Sequence, residues 1–470
     1  MRFLLLVIIT LLPTYLIRFH IGPFPTTLLE ILLLSTFLYW CGKKVHGHVL
    51  RRGDTRRGSP IEPQHSDRGR RMRSDGGVAW QDPEPWQKHP LFYPTLLFLL
   101  SSTISIFIAP DLRAALGLWR AYIIEPILFF LMMTDTLNHS PRSGSGQAGW
   151  PTVWRDVTIA LSLSALGVAL PAIYQKFNPI GIPNIHWAAA ETRRVVSWYG
   201  FPNALGLYLA PIIVLLVGWI FSKKEKVVGD ARRGSPIEPQ HPPAGGDAVG
   251  WGCRAVGPQT LAIIATAASL LAILFARSEG AIASLLIVGF VAGMFSSRTR
   301  LWVSVITLVF VIATFTNTPW RDYVYEQAAF HGDSGKVRIQ QWKETIKMLR
   351  DHPIFGAGLS GYQKTVAPYH KQKHIEIYQY PHNIVLNFWS ELGLLGVIAF
   401  LWLVILFFRK ALSPPFRGGA RGGAIIISAI SVILIHGLVD VPYFKNDLAI
   451  FFWLLLALST IDRTTQSTLS

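Results

Sequence analysis

Apolar runs close to the length of a bilayer crossing recur along this 470-residue chain, and they constrain the fold more than any motif does. A helix needs about 20 apolar residues to cross the hydrocarbon core. In lipid, only helices and closed barrels satisfy their own backbone polar groups. The chain is 51% hydrophobic and 15% charged, against roughly 25% charged in soluble domains. The expected class is all-α, a polytopic helical membrane protein. Twelve spans are expected, near 3–18, 24–41, 91–109, 116–134, 156–174, 203–221, 259–275, 281–296, 301–317, 383–408, 424–439 and 447–461. The first run, Phe3 to Ile17, lacks a small-residue cleavage site and leads into a second span, so it reads as an anchor.

The basic residues set the orientation. Residues 42–90 carry eleven Lys and Arg and residues 222–258 carry six; Arg298, Arg300, Arg409, Lys410, Arg417 and Arg421 mark two shorter connections. With twelve spans all of these fall on one face, together with both termini. The positive-inside rule makes that face cytoplasmic. Residues 175–202, the turn at Arg277, 318–382 and 440–446 then lie outside. The formal charge of +17 is what this bias produces. No basic stripe with interleaved aromatics occurs outside the connecting loops, so no nucleic-acid partner is expected. Cys41 and Cys253 offer neither a disulfide framework nor a metal spacing.

The tract from Arg56 to His65 recurs identically from Arg232 to His241, although the spans between show no repeat. Both copies are rich in Pro, Gly and Arg. The insertions 42–90 and 222–258 are expected to be disordered, tolerated at loop tips; binding of anionic lipid or a partner is the functional alternative. Ser140 to Gly149 and Ser413 to Gly423 have a similar character.

The polar segment 318–382, set between two spans, holds the residues that point to chemistry. Asp333 or Ser334 is suited to cap a helix over 333–351, with an apolar stripe of Ile339, Trp342, Ile346 and Leu349 and a stop at Pro353. That helix should lie on the outer membrane surface or over the bundle mouth. Arg338 and Trp342 share one of its faces. Arg338 reads either as a snorkelling interfacial residue or as a fork aimed at phosphate oxygens. Gly356-Ala357-Gly358 fits a tight turn as well as a phosphate loop. His382 stands where the segment re-enters the membrane, beside Asn383, and imidazole there can act as a general base. Glu391 follows inside the span, where a carboxylate needs a partner or a wet cavity.

Arg193, Arg194 and Arg277 also fall on the outer face, against the usual bias. Each has an alternative reading as a headgroup anchor. Together they are what a departing diphosphate requires, since guanidinium groups neutralise charge as the bond breaks. The chain contains no P-loop, HExxH, GxSxG or DxD pattern, which argues against ATP hydrolysis, zinc proteolysis and metal-dependent sugar-nucleotide chemistry.

Arg338 with Trp342, then residues 352–358 (HPIFGAG), 381–383 (PHN) and 391–396 (ELGLLG) resemble the C-terminal half of the O-antigen ligase and polymerase superfamily. Residues 193–211 and 276–286 resemble two further segments of that family. The resemblance implies a helical protein of the bacterial cytoplasmic (inner) membrane with a large outer loop. It would move a glycan from a polyprenyl-diphosphate carrier, such as undecaprenyl diphosphate, to a hydroxyl of a glycolipid, glycan or protein, with no nucleotide, metal or other cofactor. By motif, Arg194 or Arg193, Arg277 and Arg338 would stabilise the diphosphate and His382 would be the base, with Trp342, Asn383 and Glu391 in support. The family's outer hairpin often reads Ser-Arg-Gly, whereas this chain has Ser278-Glu279-Gly280 with Arg277 displaced. A lipid-linked sugar flippase is the alternative from another class; its usual internal repeats and broken helices are not visible in the sequence.

Overall fold

The computed structural model describes residues 1–22, 24–54, 89–138, 150–232, 257–372, 375–412 and 421–460. Cys253 and most of both RRGSPIEPQH tracts lie outside them, as do the low-complexity stretches after Asn138 and Leu412.

The described residues are predominantly helical. In order, the α-helices are α1 (Arg2–Thr10), α2 (Leu28–Asp54), α3 (Phe92–Ile108), α4 (Leu112–Trp119), α5 (Glu125–Asn138), α6 (Trp150–Phe177), α7 (Ile185–Ala188), α8 (Pro202–Arg232), α9 (Pro258–Ala276), α10 (Glu279–Phe295), α11 (Arg300–Thr316), α12 (Thr318–Ala328), α13 (Asp333–Asp351), α14 (Tyr362–Val366), α15 (Ile384–Ala411), α16 (Arg421–Gly437) and α17 (Asn446–Ser459). A π turn, Arg120–Ile124, joins α4 to α5.

Among the described residues, five helices are long and apolar enough to cross a membrane, or six if the pair 300–316 and 318–327, bent by 105°, counts as one; four more apolar helices are shorter. The twelve expected spans are therefore matched only in part. The first shows why. Its apolar run is helical only to Thr10 and then tightens into a 3-10 turn through Leu12–Leu16, because Pro13 has no N–H to continue the helix. The chain then turns back as an antiparallel hairpin, β1 (Arg18–Ile21) with β2 (Phe24–Thr27), in a region expected to be helix and turn. α2 continues to Asp54 and α8 to Arg232, so helix runs into the first residues of each basic stretch, Lys and Arg being good helix formers; the remainder of both stretches lies outside the described residues, apart from 89–90 and 257–258.

The core is a bundle packed chiefly through α6, α8, α9, α3, α15, α16 and α17. α17 lies at its centre, with every residue from Asn446 to Ser459 buried. One end of the bundle carries the Arg2–Asp156 pair at 2.8 Å and Lys44 bonded to Asp135 at 2.5 Å. The opposite end gathers the hairpin, the 178–201 segment, the α9–α10 turn, 318–383 and 438–446. There Arg120 Nη2 donates to Pro25 O (3.2 Å), Arg194 Nε to Ala276 O (3.0 Å) and Asn383 Nδ2 to Leu438 O (3.0 Å). The segments assigned to one face by charge and parity thus meet at one end of the fold.

Candidate active site

The site is built on a helix that breaks. α15 is interrupted at Gly393, whose φ of 70° and ψ of −174° suit only glycine. The break leaves backbone groups without their helical partners, and residues 354–360 fill the gap. Leu394 N–H donates to Ile354 O (2.8 Å) and Ala357 N–H to Ser390 O (2.7 Å). Gly356 and Gly358, both at positive φ, press against the carbonyls of Trp389 and Ser390 and the backbone of Ala109, where any Cβ would collide. Trp389 Nε1 donates to Pro353 O (2.7 Å). Of the two readings open for the Gly-Ala-Gly motif, the structure has the tight turn, wedged into the helix. Glu391 serves the same joint: its Oε2 accepts the Ser360 N–H at 2.6 Å, and its backbone carbonyl accepts from Ser105 Oγ, which in turn accepts the Leu359 N–H at 2.9 Å. One oxygen of this intramembrane carboxylate is thus held by backbone, while its Oε1 is buried with no hydrogen-bond partner among the described residues. Glu391 therefore shapes the loop.

α13 occupies the expected span 333–351, but its N-cap is Gly332 and neither Asp333 nor Ser334 caps it through a side chain. Of the expected apolar stripe, Leu349 is buried and Ile339 and Trp342 are half-buried, but the buried face is not the stripe alone. Ile346 is exposed, while Gln341, Glu344 and Thr345 are buried, because polar partners in the loop hold them. Thr345 Oγ1 bonds Tyr362 OH (2.8 Å), and Glu344 Oε2 meets His370 Nδ1 (2.9 Å). The helix lies over the bundle mouth, the second of the two expected placements, with Arg338 Nε donating to Val439 O at 2.9 Å. Trp342 packs edge-on against Phe330, ring centroids 5.6 Å apart, and its buried Nε1 has no hydrogen-bond partner among the described residues.

His382 sits at a positive φ of 47°, fixed from both sides. Asn383 caps α15, its Oδ1 accepting from Val385 N–H (3.1 Å) and Leu386 N–H (3.0 Å), while its amide holds the end of α16. Gln341 Oε1 lies 3.0 Å from His382 Nδ1. An amide oxygen only accepts, so Nδ1 carries the proton and Nε2 keeps its lone pair. The Tyr378 ring stands edge-on at 5.2 Å. Asp440, buried, faces His382, His436 and Arg338. Burial pushes the Asp440 carboxyl up, but Arg338, the two imidazoles where they are protonated at acid pH, and the Val441 N–H, 2.8 Å from Oδ1, more than offset it and hold the carboxylate below its usual range. Burial depresses the His382 imidazole below its usual value; Asp440 opposes the shift, Arg338 adds to it, and a backbone hydrogen bond to Tyr380 opposes it. His382 is thus neutral at neutral pH, as a proton acceptor must be.

The adjacent arginines part company. Arg193 spends its fork on backbone carbonyls, with Nη1 on Lys176 O (2.9 Å) and Nε and Nη2 on Ala188 O (3.1 and 3.0 Å), which ties the 178–194 segment to the end of α6. Arg194 reaches the α9–α10 turn, with Nε on Ala276 O and Nη2 on Arg277 O (3.2 Å) and Asn203 Oδ1 (3.3 Å), beside the Trp187 ring. Burial pulls its guanidinium below the usual value; Glu279 opposes that shift, and Arg277 and Arg338 add to it. Arg194, Arg277 and Arg338 therefore share one electrostatic neighbourhood, whereas the Arg193 fork is taken up by the Lys176 and Ala188 carbonyls. Arg277, exposed, ends α9 in the left-handed region at φ 51°.

Gln341, Asp440 and His436 belong to this cluster, although their sequence contexts carry no motif. His436 is buried against Gly280. A polar residue on the inward face of α13, and two ionisable residues beside an outer turn, were the only traces available.

The family model described as O-Antigen ligase matches residues 264–401. That stretch runs from α9 through the break in α15 and includes Arg277, Arg338, Gln341 and His382. No curated protein matches the chain.

Proposed function

We propose, from the match of residues 264–401 to the family model described as O-Antigen ligase, that the chain is a glycosyl-transfer enzyme of that superfamily and moves a glycan from a polyprenyl-diphosphate carrier to an acceptor hydroxyl at the outer face of the bacterial cytoplasmic membrane. The observation that carries this reading is the convergence of Arg194, Arg277 and Arg338 at the bundle end where His382 sits with its Nδ1 on Gln341. His382 Nε2 takes the acceptor hydroxyl proton as the oxygen bonds to the anomeric carbon. The bond from that carbon to the diphosphate breaks, and its electron pair leaves with the polyprenyl diphosphate. The three guanidinium groups offset the negative charge that gathers there. Gln341 fixes the tautomer and Asp440 stabilises the imidazolium that forms, the two positioning roles such a base needs. Ligase and polymerase share this donor chemistry and differ in the acceptor.

The test is a transfer assay on the membrane-embedded protein, with a polyprenyl-diphosphate glycan as donor and no added metal or nucleotide. Appearance of free polyprenyl diphosphate together with elongated or capped acceptor is the expected result. Passage of intact lipid-linked sugar across the bilayer, with no covalent product, would make the protein a flippase instead.

A further inference from the structure

The His370 ring meets an acceptor at each of its nitrogens. Nδ1 lies 2.9 Å from Glu344 Oε2, on α13, and Nε2 lies 2.9 Å from Ile375 O. An ionised carboxylate and a backbone carbonyl only accept. Both contacts are therefore hydrogen bonds when the ring carries two protons, as imidazolium. A neutral ring has one N–H, and its other nitrogen then turns a lone pair toward an oxygen, whichever tautomer it takes. Among the described residues, Glu344 is the charged group bonded to the ring. Asp351, further along α13, accepts Tyr369 OH at 2.5 Å, and Lys371 and Glu376 are exposed. Glu344 is buried, and its Oε1 accepts from Gln340 Nε2 at 2.6 Å. A buried carboxylate deprived of its cation keeps that one amide donor, which is costly.

These bonds connect the outer segment to the base. Glu344 follows Gln341 by three residues on the same side of α13, and Gln341 Oε1 holds His382 Nδ1 at 3.0 Å. Residues 375–378 are pinned at two carbonyls, Ile375 by His370 and Ile377 by Gln363 Nε2 at 2.8 Å. They end at Tyr378, whose ring stands edge-on to His382 at 5.2 Å. The Thr345–Tyr362 bond, 2.8 Å, joins α13 to α14 without a histidine. Loss of the His370 proton therefore loosens 375–378 and leaves α13 and α14 joined. The Glu344 hydrogen bond holds the His370 imidazole above its usual value; burial opposes the shift, and backbone bonds to Ile375 and Gln372 add to it. With a raised folded-state value, the stabilisation is complete below the ordinary histidine range and is lost as pH rises through the raised one.

We propose that His370, as imidazolium, is a positioning residue for His382: it clasps residues 375–378 to α13 and so keeps Tyr378 packed on the base that Gln341 orients. The clasp rests on hydrogen bonds alone; its effect on turnover rests on the glycan-transfer reading. Turnover then has two limbs, set by two histidines with opposite requirements. His382 must be neutral and fails in acid, whereas His370 must be charged and fails in base. At an outer face the clasp answers to the pH of the surroundings and not to that of the cytosol.

The experiment measures hydrogen–deuterium exchange of the full-length protein in nanodiscs between about pH 6 and about pH 9, which brackets the ordinary histidine value of about 6.5. Each peptide is expressed as protection relative to its intrinsic rate at the same pH. Protection of 375–378 should fall about tenfold across that range, the scale of one charge-assisted contact, while α13 and α14 keep theirs. His370→Gln should remove this pH dependence, because an amide carries no titrating proton. Glu344→Gln should move the loss to lower pH, because the ring gives up the partner that holds its proton. In transfer assays kcat should fall on the alkaline side in the parent, with donor KM little changed, and should stay flat there in His370→Gln. Flat protection in the parent, or a fall that survives His370→Gln, overturns the proposal. If His370→Gln does not insert, Glu344→Gln carries the test, and a loss at the parent's pH overturns the proposal. The expected exchange pattern in a protein that transfers no glycan at any pH would keep the clasp and remove the transfer reading; flat exchange beside measurable transfer would do the reverse.

Discussion

The Nδ1 atom of His382 lies 3.0 Å from Oε1 of Gln341, so a residue of α13 fixes the imidazole at the mouth of α15. Replacing Gln341 by Leu should lower kcat by about 10- to 100-fold, the range seen when an orienting partner of a functional His is lost, with little change in donor KM. His382→Ala should abolish transfer while the protein stays in the membrane. Steady-state kinetics on proteoliposomes would decide, and a Gln341→Leu variant as fast as the parent would remove Gln341 from the mechanism.

The arginines should separate by what they touch. Arg338→Ala and Arg194→Ala should each cost about 10²–10³ in kcat, as loss of one preorganised charge stabiliser does. Arg193→Ala should leave turnover per folded molecule near normal and instead lower stability by about 1–3 kcal/mol, because the carbonyls of Lys176 and Ala188 lose their donor. Thermal melts read beside activity would expose the opposite pattern if the assignment were reversed.

The acid limb of the pH–rate profile should sit below the ordinary histidine value. His382 works as the neutral base, and burial lowers its pKa, so kcat/KM is full at neutral pH and is lost as pH falls through that depressed pKa. Asp440 raises the His382 pKa. Asp440→Asn removes that support, so the limb should move to still lower pH even as the rate falls. A limb that moved upward would show that Asp440 does not act on His382 through its charge.

Gly393→Ala should prevent the loop from seating. The cost of a non-glycine residue in that conformation is about 1–3 kcal/mol, and the new Cβ would also strike the Ile354 carbonyl and Phe355. Lower thermal stability, with cleavage of 352–360 by added protease, is the expected result. A variant as resistant as the parent would contradict the wedge.

Single cysteines placed at 325 and 371 should react with an impermeant maleimide added outside intact cells, and Cys41 should not. The reverse pattern would put His382 on the cytosolic side and defeat the transfer reading.

Composition and the spacing of apolar runs were enough to determine a helical membrane protein, and the run of Arg, His and Gly between spans marked the segment that covers the bundle mouth. These features are legible because hydrophobic length and charge bias are local properties of the chain. The separate roles of Arg193 and Arg194 were not legible: neighbours in sequence, they part only because one meets the end of α6 and the other the α9–α10 turn. The bond from Ser360 N–H to Glu391 was not legible either, since Ser360 arrives through the break at Gly393. Gln341 and Asp440 carried no signal, because what gives them a role is proximity to His382 across 41 and 58 positions of chain. Sequence set which elements form and where charge concentrates; tertiary packing alone decided which polar atoms face one another, because hydrogen bonds and charges act over a few ångströms of space whatever their distance along the chain.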